Sequence, residues 1–480
     1  MLNLEPQSLW YFFDKITKIP RPSKHEEKII TFLQNFAAER NLDCKTDKAG
    51  NVLIYKQATA GYENLPAIIL QAHTDMVCEK NRDIDFDFAK DAINYYIDGD
   101  FVKARGTTLG ADNGIGIAMI LSILDSRDLA HPALEGLFTV DEETGLTGAF
   151  ALEKNFLTGK TLINLDSEDD GEIFVGCAGG VDTVGKLPFY SEKTPENYFS
   201  FKISIEKLKG GHSGDDINKG RGNANKIIGR FLWSVSEETD LYVAHFDGGN
   251  LRNAIPREAY SICCVPNEYK EKLRAQFNVF VADLKEEYRV TDPDFVLDIE
   301  TAEKPEHVMT RSDSFTLLNL LYALPHGVKT MSADIAGLVE TSTNLASVKF
   351  VEDAVEITTS QRSSIESAKW DIARKVAATL LLANAGFKHG DGYPGWKPNL
   401  NSAILKKAET AYFDLFHEKA KVRAIHAGLE CGLFLEKYPS LDMISIGPQM
   451  YDVHSPDERL SISSTQKCFE WLKRIIDLRF

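Results

Sequence analysis

Gly106-Thr107-Thr108-Leu109-Gly110-Ala111-Asp112-Asn113-Gly114-Ile115-Gly116 is the stretch on which the reading of this chain turns. Four glycines and two threonines give it loop composition, and Ile115, Ile117, Ala118, Ile120 and Leu121 follow with the close apolar spacing of a buried helix. The single carboxylate, Asp112, is thereby placed just before a helix N-terminus, on backbone that the glycines let approach other elements closely. A ligand shared between two metal ions needs this: a short, fixed carboxylate with room on both oxygens. Alone, Asp-Asn-Gly is more often a turn with an N-cap. The stretch does not match G-x-G-x-x-G, so a dinucleotide loop is not supported.

Outward from this stretch, short apolar runs of strand type occur at Asn51–Tyr55, Ala67–Leu70, Gly136–Val140, Thr161–Leu165 and Met443–Ile446. Continuous apolar strands separated by helical patterns imply a sheet buried on both faces, an α/β architecture. The middle of the chain alternates instead, as in Phe201-Lys202-Ile203-Ser204-Ile205, so one sheet face there should meet solvent. Its order reads strand 199–207, helix 222–236, strands 241–247 and 258–265, helix 269–288, and then strand 294–300, helix 312–323, strands 336–349 and 354–362, helix 366–384. A βαββα pattern met twice suggests an inserted α+β domain of two related halves. The expected division is 1–187 and 391–480 for an interrupted catalytic domain and 188–390 for the insertion, with joins at the punctuating residues Gly185–Pro188 and Gly390–Pro394.

A chain of 480 residues, 43% hydrophobic and 26% charged, reads as a multidomain globular protein. Its formal net charge of −17 argues against nucleic acid and an anionic membrane surface as partners. No run reaches the roughly 18 apolar residues of a spanning helix, and Met1–Glu5 lacks the basic start of a signal peptide. Seven scattered cysteines, without a C-x-x-C pair, read as buried thiols in a reducing compartment, so a cytoplasmic location is expected.

Four of the buried strands are followed within a few residues by groups able to bind metal. His73-Thr74-Asp75 follows the second run, Asp141-Glu142-Glu143 the third, Asp166 the fourth, and His454-Ser455-Pro456-Asp457-Glu458 the last. Ligand sites of open α/β sheets form outside the carboxyl ends of strands, so these groups can converge beside Asp112. Two histidines with several carboxylates form a borderline-hard donor set suited to zinc, manganese or cobalt. Each group alone has a plainer reading: a surface turn for His-x-Asp, a solvated pair for Glu142-Glu143, a cap for Asp166. Their joint recurrence at strand ends argues against coincidence.

These motifs, His73–Met76, Gly110–Gly114, Asp141–Gly145, Asn164–Glu168 and His454–Glu458, resemble those of the co-catalytic zinc exopeptidases. Lys103–Thr108, Gly210–Gly214, Leu251–Arg257 and His426–Gly432 are similar to the branch of that family that cleaves aminoacyl-histidine dipeptides, and the likeness runs from about residue 7 to 475. The resemblance implies a zinc-exopeptidase-like catalytic domain with a buried mixed sheet, interrupted by a lid. It implies two divalent ions, zinc first with manganese or cobalt as alternatives, one held by His73, Asp112 and Asp166 and the other by Asp112, Glu143 and His454. It gives Glu142 the role of general base, Asp75 that of orienting the His73 imidazole, and His212 that of hydrogen-bonding an oxyanion. It places Asn253 and Arg362 against substrate, and Arg362 offers bidentate capture of a carboxylate. Gly428 and Glu430 are assigned to substrate as well, Glu430 with a carboxylate available for a free amine. The Asp112–Asn113 peptide is expected to be cis.

The function expected is metal-dependent hydrolysis of small dipeptides, Xaa-His by resemblance alone, in a monomer or homodimer. Two rivals stand: an N-acyl amino acid amidohydrolase with the same chemistry, and a non-catalytic metal- or ligand-binding protein on the same scaffold. Adjacent Glu142 and Glu143 argue against the second, because a binding protein has no use for an unligated base.

Overall fold

The computed structural model describes residues 4–477, and these form two compact units. Among the described residues the first unit comprises 4–176, Trp396–Ala424 and 429–477, and the second Cys177–Gly395 with Ile425–Gly428.

The first unit is built on an eight-stranded mixed sheet. Its strands run, in spatial order, Asp43–Thr46, Val52–Lys56, Leu134–Thr139, Ile68–His73, Thr161–Asn164, Asp442–Ser445, Glu172–Cys177 and Lys421–Ile425. The apolar runs become its centre. Ile68–His73 lies parallel to both Leu134–Thr139 and Thr161–Asn164, and Asp442–Ser445 extends this parallel block. Every residue of Ile68–His73 and of Leu134–Thr139 is buried, as strands covered on both faces must be. The helix after the glycine-rich stretch, Ala111–Asp125, is buried along nearly its whole length. It packs on Ile68–His73 and against the helix Gln7–Ile16, which turns Leu9, Trp10, Phe13 and Ile16 inward. Four strands therefore end at one edge, and the side chains just beyond them share a neighbourhood.

The second unit carries a nine-stranded sheet in which Val296–Thr301, Tyr198–Glu206, Ala259–Pro266, Tyr242–Gly248, Val339–Val351, Ala354–Ser363, Gly179–Pro188 and Gly386–His389 follow one another, with Gly327–Met331 pairing Val339–Val351. The helices Ala224–Ser236, Lys270–Glu287, Arg311–Ala323 and Glu366–Leu382 contribute to its apolar core. The six strands and four helices expected here occur in the expected order, but Gly179–Pro188, Gly327–Met331 and Gly386–His389 add to the sheet, and the pairing is not that of two consecutive halves. Val296–Thr301 pairs with Tyr198–Glu206, while the neighbour of Ala354–Ser363 is Gly179–Pro188. Gly185-Lys186-Leu187-Pro188 accordingly lies within a strand bonded on both sides, not at a join, and the second unit begins at Cys177. Gly and Pro at a strand end look the same in sequence as a linker.

Candidate metal centre

His73 closes its strand, and Asp112 begins the buried helix with non-helical backbone (φ −79°, ψ 111°). The Asp112–Asn113 peptide is cis. The imidazole Nε2 of His73 is 3.0 Å from Asp112 Oδ1 and 3.3 Å from Asp166 Oδ1. On the other side, His454 Nε2 is 3.0 Å from Asp112 Oδ2 and 3.1 Å from Glu143 Oε2. Asp112 thus presents one oxygen to each of two clusters, His73/Asp112/Asp166 and Asp112/Glu143/His454, in each of which the ligand atoms lie within 4.8 Å of one another. Glu143 Oε1 is buried without a hydrogen-bond partner, an arrangement too costly for a purely structural carboxylate. Nitrogen and oxygen donors aimed at two adjoining points, with a buried acceptor left open, fit a pair of borderline-hard divalent cations.

The electrostatics carry the same message. Burial works against charge on Asp112, but hydrogen bonds from His454 and His73 outweigh it and hold the carboxyl below the ordinary range. His454 is raised to about 11 by its bonds to Asp112 and Glu143. Asp166 is pushed up to about 6 by burial, with Asp112 and Glu143 adding repulsion against the pull of His73. Glu142 stands well above its usual value: burial is the largest cause, and Asp166, Glu430 and Glu143 reinforce it against His73. A carboxylate so raised is a better proton acceptor than one in water.

Asp75 does more than face an imidazole. It is fully buried; Oδ1 lies 3.3 Å from His73 Nδ1 and accepts from the Glu142 amide at 3.0 Å, while Oδ2 accepts from the Glu143 amide at 3.2 Å and from Ser23 Oγ at 2.7 Å. One side chain therefore fixes a histidine and the backbone of both glutamates. Although burial pushes the other way, these contacts bring it down to about 2.

Glu430, expected beside a substrate amine, is fully buried at the start of the helix Glu430–Lys437. Its Oε2 accepts from Gln71 Nε2 at 2.7 Å and Thr139 Oγ1 at 2.9 Å, its Oε1 has no partner, and burial pushes it up to about 8.

The second unit brings its own predicted residues together. Gly211–His212 pairs with Ala254–Ile255, which sets His212 opposite Ala254, next to Asn253. Arg362 directs Nη2 to within 3.5 Å of His212 Nε2, Nε to 3.4 Å from Ser213 Oγ, and Nη1 into a 2.8 Å bond to the Tyr393 hydroxyl. Gly428 lies against that same tyrosine, where a Cβ would come within 2.8 Å of the ring. His212 Nδ1 accepts from the amides of Gly214 and Asp215, both at 3.3 Å. Tyr393 and Ser213 were not among the sequence candidates; a tyrosine in a Gly-Tyr-Pro loop gives no signal of its own.

Two further residues at the metal centre escaped the sequence reading. Arg21 is 1% exposed, donating from Nη1 to Thr74 O (3.1 Å) and Asp75 O (2.6 Å), and from Nη2 to Gly110 O. Glu458 accepts from the amides of Leu109 (2.7 Å), Gly110 (3.1 Å), Ala111 (2.8 Å) and Asp112 (3.4 Å).

Residues 69–478 match the family model described as peptidase family M20/M25/M40, and the chain belongs to that family. Within it, the chain is 44% identical over 462 residues to the cytosol non-specific dipeptidase of Escherichia coli (strain K12), across 96% of this chain and 95% of that one. It also superposes on the crystal structure of aminoacylhistidine dipeptidase from Vibrio alginolyticus with a TM-score of 0.92 and 43% identity, covering 99% and 97% of the two chains. A tripeptidase from Staphylococcus aureus, at 17% identity and a TM-score of 0.58, shares the fold. No helix among the described residues is long and apolar enough to cross a membrane.

Proposed function

We propose that the chain is a cytosolic, metal-dependent dipeptidase that hydrolyses dipeptides with a free N-terminus, Xaa-His among them. The observation that carries this reading is the two-sided use of Asp112, one oxygen 3.0 Å from each of two histidines that are themselves backed by Asp166 and Glu143. His73, Asp112 and Asp166 would hold one divalent ion and Asp112, Glu143 and His454 the other, with zinc the first candidate. When bound, such a pair lowers the pKa of a water and polarises a carbonyl oxygen.

The rest is done by the chain's own groups. Glu142, next in sequence to a ligand and grouped with His73 and Glu143 but not with Asp112, takes the proton of the attacking water as the oxygen bonds to the peptide carbon. It then passes that proton to the leaving nitrogen as the C–N bond breaks, so one carboxylate serves as base and then acid. Asp75 keeps this carboxylate in register with His73 through the amide of Glu142. His212 would donate from its ring to an oxyanion, and Arg362 supplies a planar donor fork for a terminal carboxylate. Tyr393 takes up one nitrogen of that fork and fixes its plane.

The likeness to a dipeptidase over 96% of the chain favours peptides over N-acyl amino acids as substrates. A panel of dipeptides, N-acetyl dipeptides and N-acyl amino acids tests this. Turnover confined to free dipeptides is expected; preferential hydrolysis of N-acyl amino acids would replace this reading with the amidohydrolase.

A further inference from the structure

We infer that Arg21 and Glu458 are a pair of oppositely charged positioning residues that assemble the metal-binding loops before any ion arrives, each responsible for one half of the centre. This rests on the proposed dinuclear site and concerns residues that neither bind metal nor touch substrate in that mechanism.

The ligands come from chain segments far apart in sequence, and something must hold their loops in register. Arg21 joins the first two. One guanidinium nitrogen donates to the carbonyls of Thr74 and Asp75, directly after His73, and another to the carbonyl of Gly110, two residues before Asp112. Backbone carbonyls normally spent on water or secondary structure are thereby satisfied by one buried cation. Burial weakens the charge on this guanidinium, and Asp75, Glu458 and Asp112 support it.

Glu458 joins the next two. Four residues after His454, its carboxylate collects four successive amides, Leu109 to Asp112, at the start of the buried helix. This is anion binding by a nest of N–H groups, with the side chain of a ligand loop as the anion. The His454 loop is thus fastened to the backbone of the shared ligand itself.

The glycines around Asp112 are explained by this arrangement. Gly110 has φ +68°, and a Cβ there would lie 2.7 Å from Arg21 Nη2 and 2.8 Å from Met76 Sδ. A Cβ on Gly114 would lie 2.8 Å from the same nitrogen. The loop is glycine-rich to admit a buried guanidinium on one side while its amides face a carboxylate.

The labour divides between the two residues. Arg21 binds the His73 loop to the shared ligand and so supports the ion held by His73, Asp112 and Asp166. Glu458 binds the His454 loop to the same ligand and supports the ion held by Asp112, Glu143 and His454. The test uses the metal-free full-length chain and zinc alone, titrated against a chromophoric chelator in two backgrounds that each leave one site. In a His454→Ala background, Arg21→Lys should weaken zinc binding at least tenfold and Glu458→Gln less than twofold. In a His73→Ala background the two effects should exchange. Glu458→Asp, which keeps the charge and shortens the reach, should fall between Gln and the parent, and it serves in place of Gln if that variant does not fold. Equal weakening of both sites by either substitution, or unchanged affinity in both backgrounds, would overturn the inference. Because no substrate is present, a chain that binds two ions and cleaves no dipeptide would refute the proposed activity and leave this result standing.

Discussion

Replacing Asp75 by asparagine probes the most heavily shared side chain of the centre. The carboxylate is fully buried and accepts three hydrogen bonds, from the amides of Glu142 and Glu143 and from Ser23 Oγ, with His73 Nδ1 beside it. Asparagine has nearly the same shape, so packing is preserved, but one oxygen becomes an NH2 group that must face a donor. Orienting Oδ1 toward either glutamate amide leaves the other opposed by N–H. The change forfeits at least one charge-assisted bond in a buried setting, about 1.5–3 kcal/mol, and removes the charge that favours His73 as a ligand. At about 1.4 kcal/mol per decade this is roughly a 10- to 100-fold loss. The loss should divide between two readouts. Calorimetric titration of the metal-free variant should show weaker binding at the site containing His73, and kcat at saturating metal should fall further, because the backbone of Glu142 is also released. Metal affinity and kcat both within twofold of the parent would refute the reasoning.

Glu142→Gln should leave metal content unchanged while turnover falls on the order of 100-fold or more, the loss expected for a positioned base; loss of an ion instead would make Glu142 a ligand. Asp112→Asn should weaken both ions in the same titration, since each cluster uses one of its oxygens. If each chain completes its own site, mixing inactive Glu142→Gln and His212→Ala chains should restore no activity; substantial recovery would show His212 acting across a dimer. His426 is lowered to about 3 by burial and the nearby Arg362 charge, below its ordinary 6.5. Between those values the unfolded chain binds the extra proton, so this residue adds a destabilisation that is absent above pH 6.5 and grows as pH falls, by up to about 1.4 kcal/mol per unit. Urea unfolding at pH 7 and 5.5 should show the decline, and His426→Asn should reduce it.

How much of this was legible in the sequence depends on where the partner of each residue lies. His73, Glu143 and Asp166 could be placed because buried parallel strands write themselves as unbroken apolar runs, and a residue at or just past the end of such a run stands at the sheet edge. Asp112 was legible from its glycines, although their reason was not: the guanidinium they admit comes from Arg21, 89 residues from Gly110. A single arginine between prolines carries no periodicity, and its partners are carbonyls that every residue possesses. Glu458 stood inside a recognised motif without a role, because the amides that its carboxylate accepts from are 346 to 349 residues away. The alternation in the second unit read six of the nine strands of its sheet, missing Gly179–Pro188, Gly327–Met331 and Gly386–His389, and gave no access to their order. Alternation reports which face is wet, not which neighbour is paired, so Gly179–Pro188 beside Ala354–Ser363 could not be foreseen. The Gly428-Leu429-Glu430 segment offers a carboxylate for a substrate amine, and the partners of Glu430, Gln71 and Thr139, lie on two buried strands that sequence does not bring beside it.

The central claim is that one carboxylate, Asp112, organises two metal ions for peptide hydrolysis. It is tested most directly by stripping the chain with a chelator and restoring zinc or manganese stepwise, with bound metal and the cleavage rate of a histidine-containing dipeptide measured on the same samples. The account expects no turnover in the stripped chain, two ions bound per chain at saturation, and activity that returns as the second ion is taken up. Full dipeptide turnover in the stripped chain, or saturation at a single ion with full activity, would contradict it.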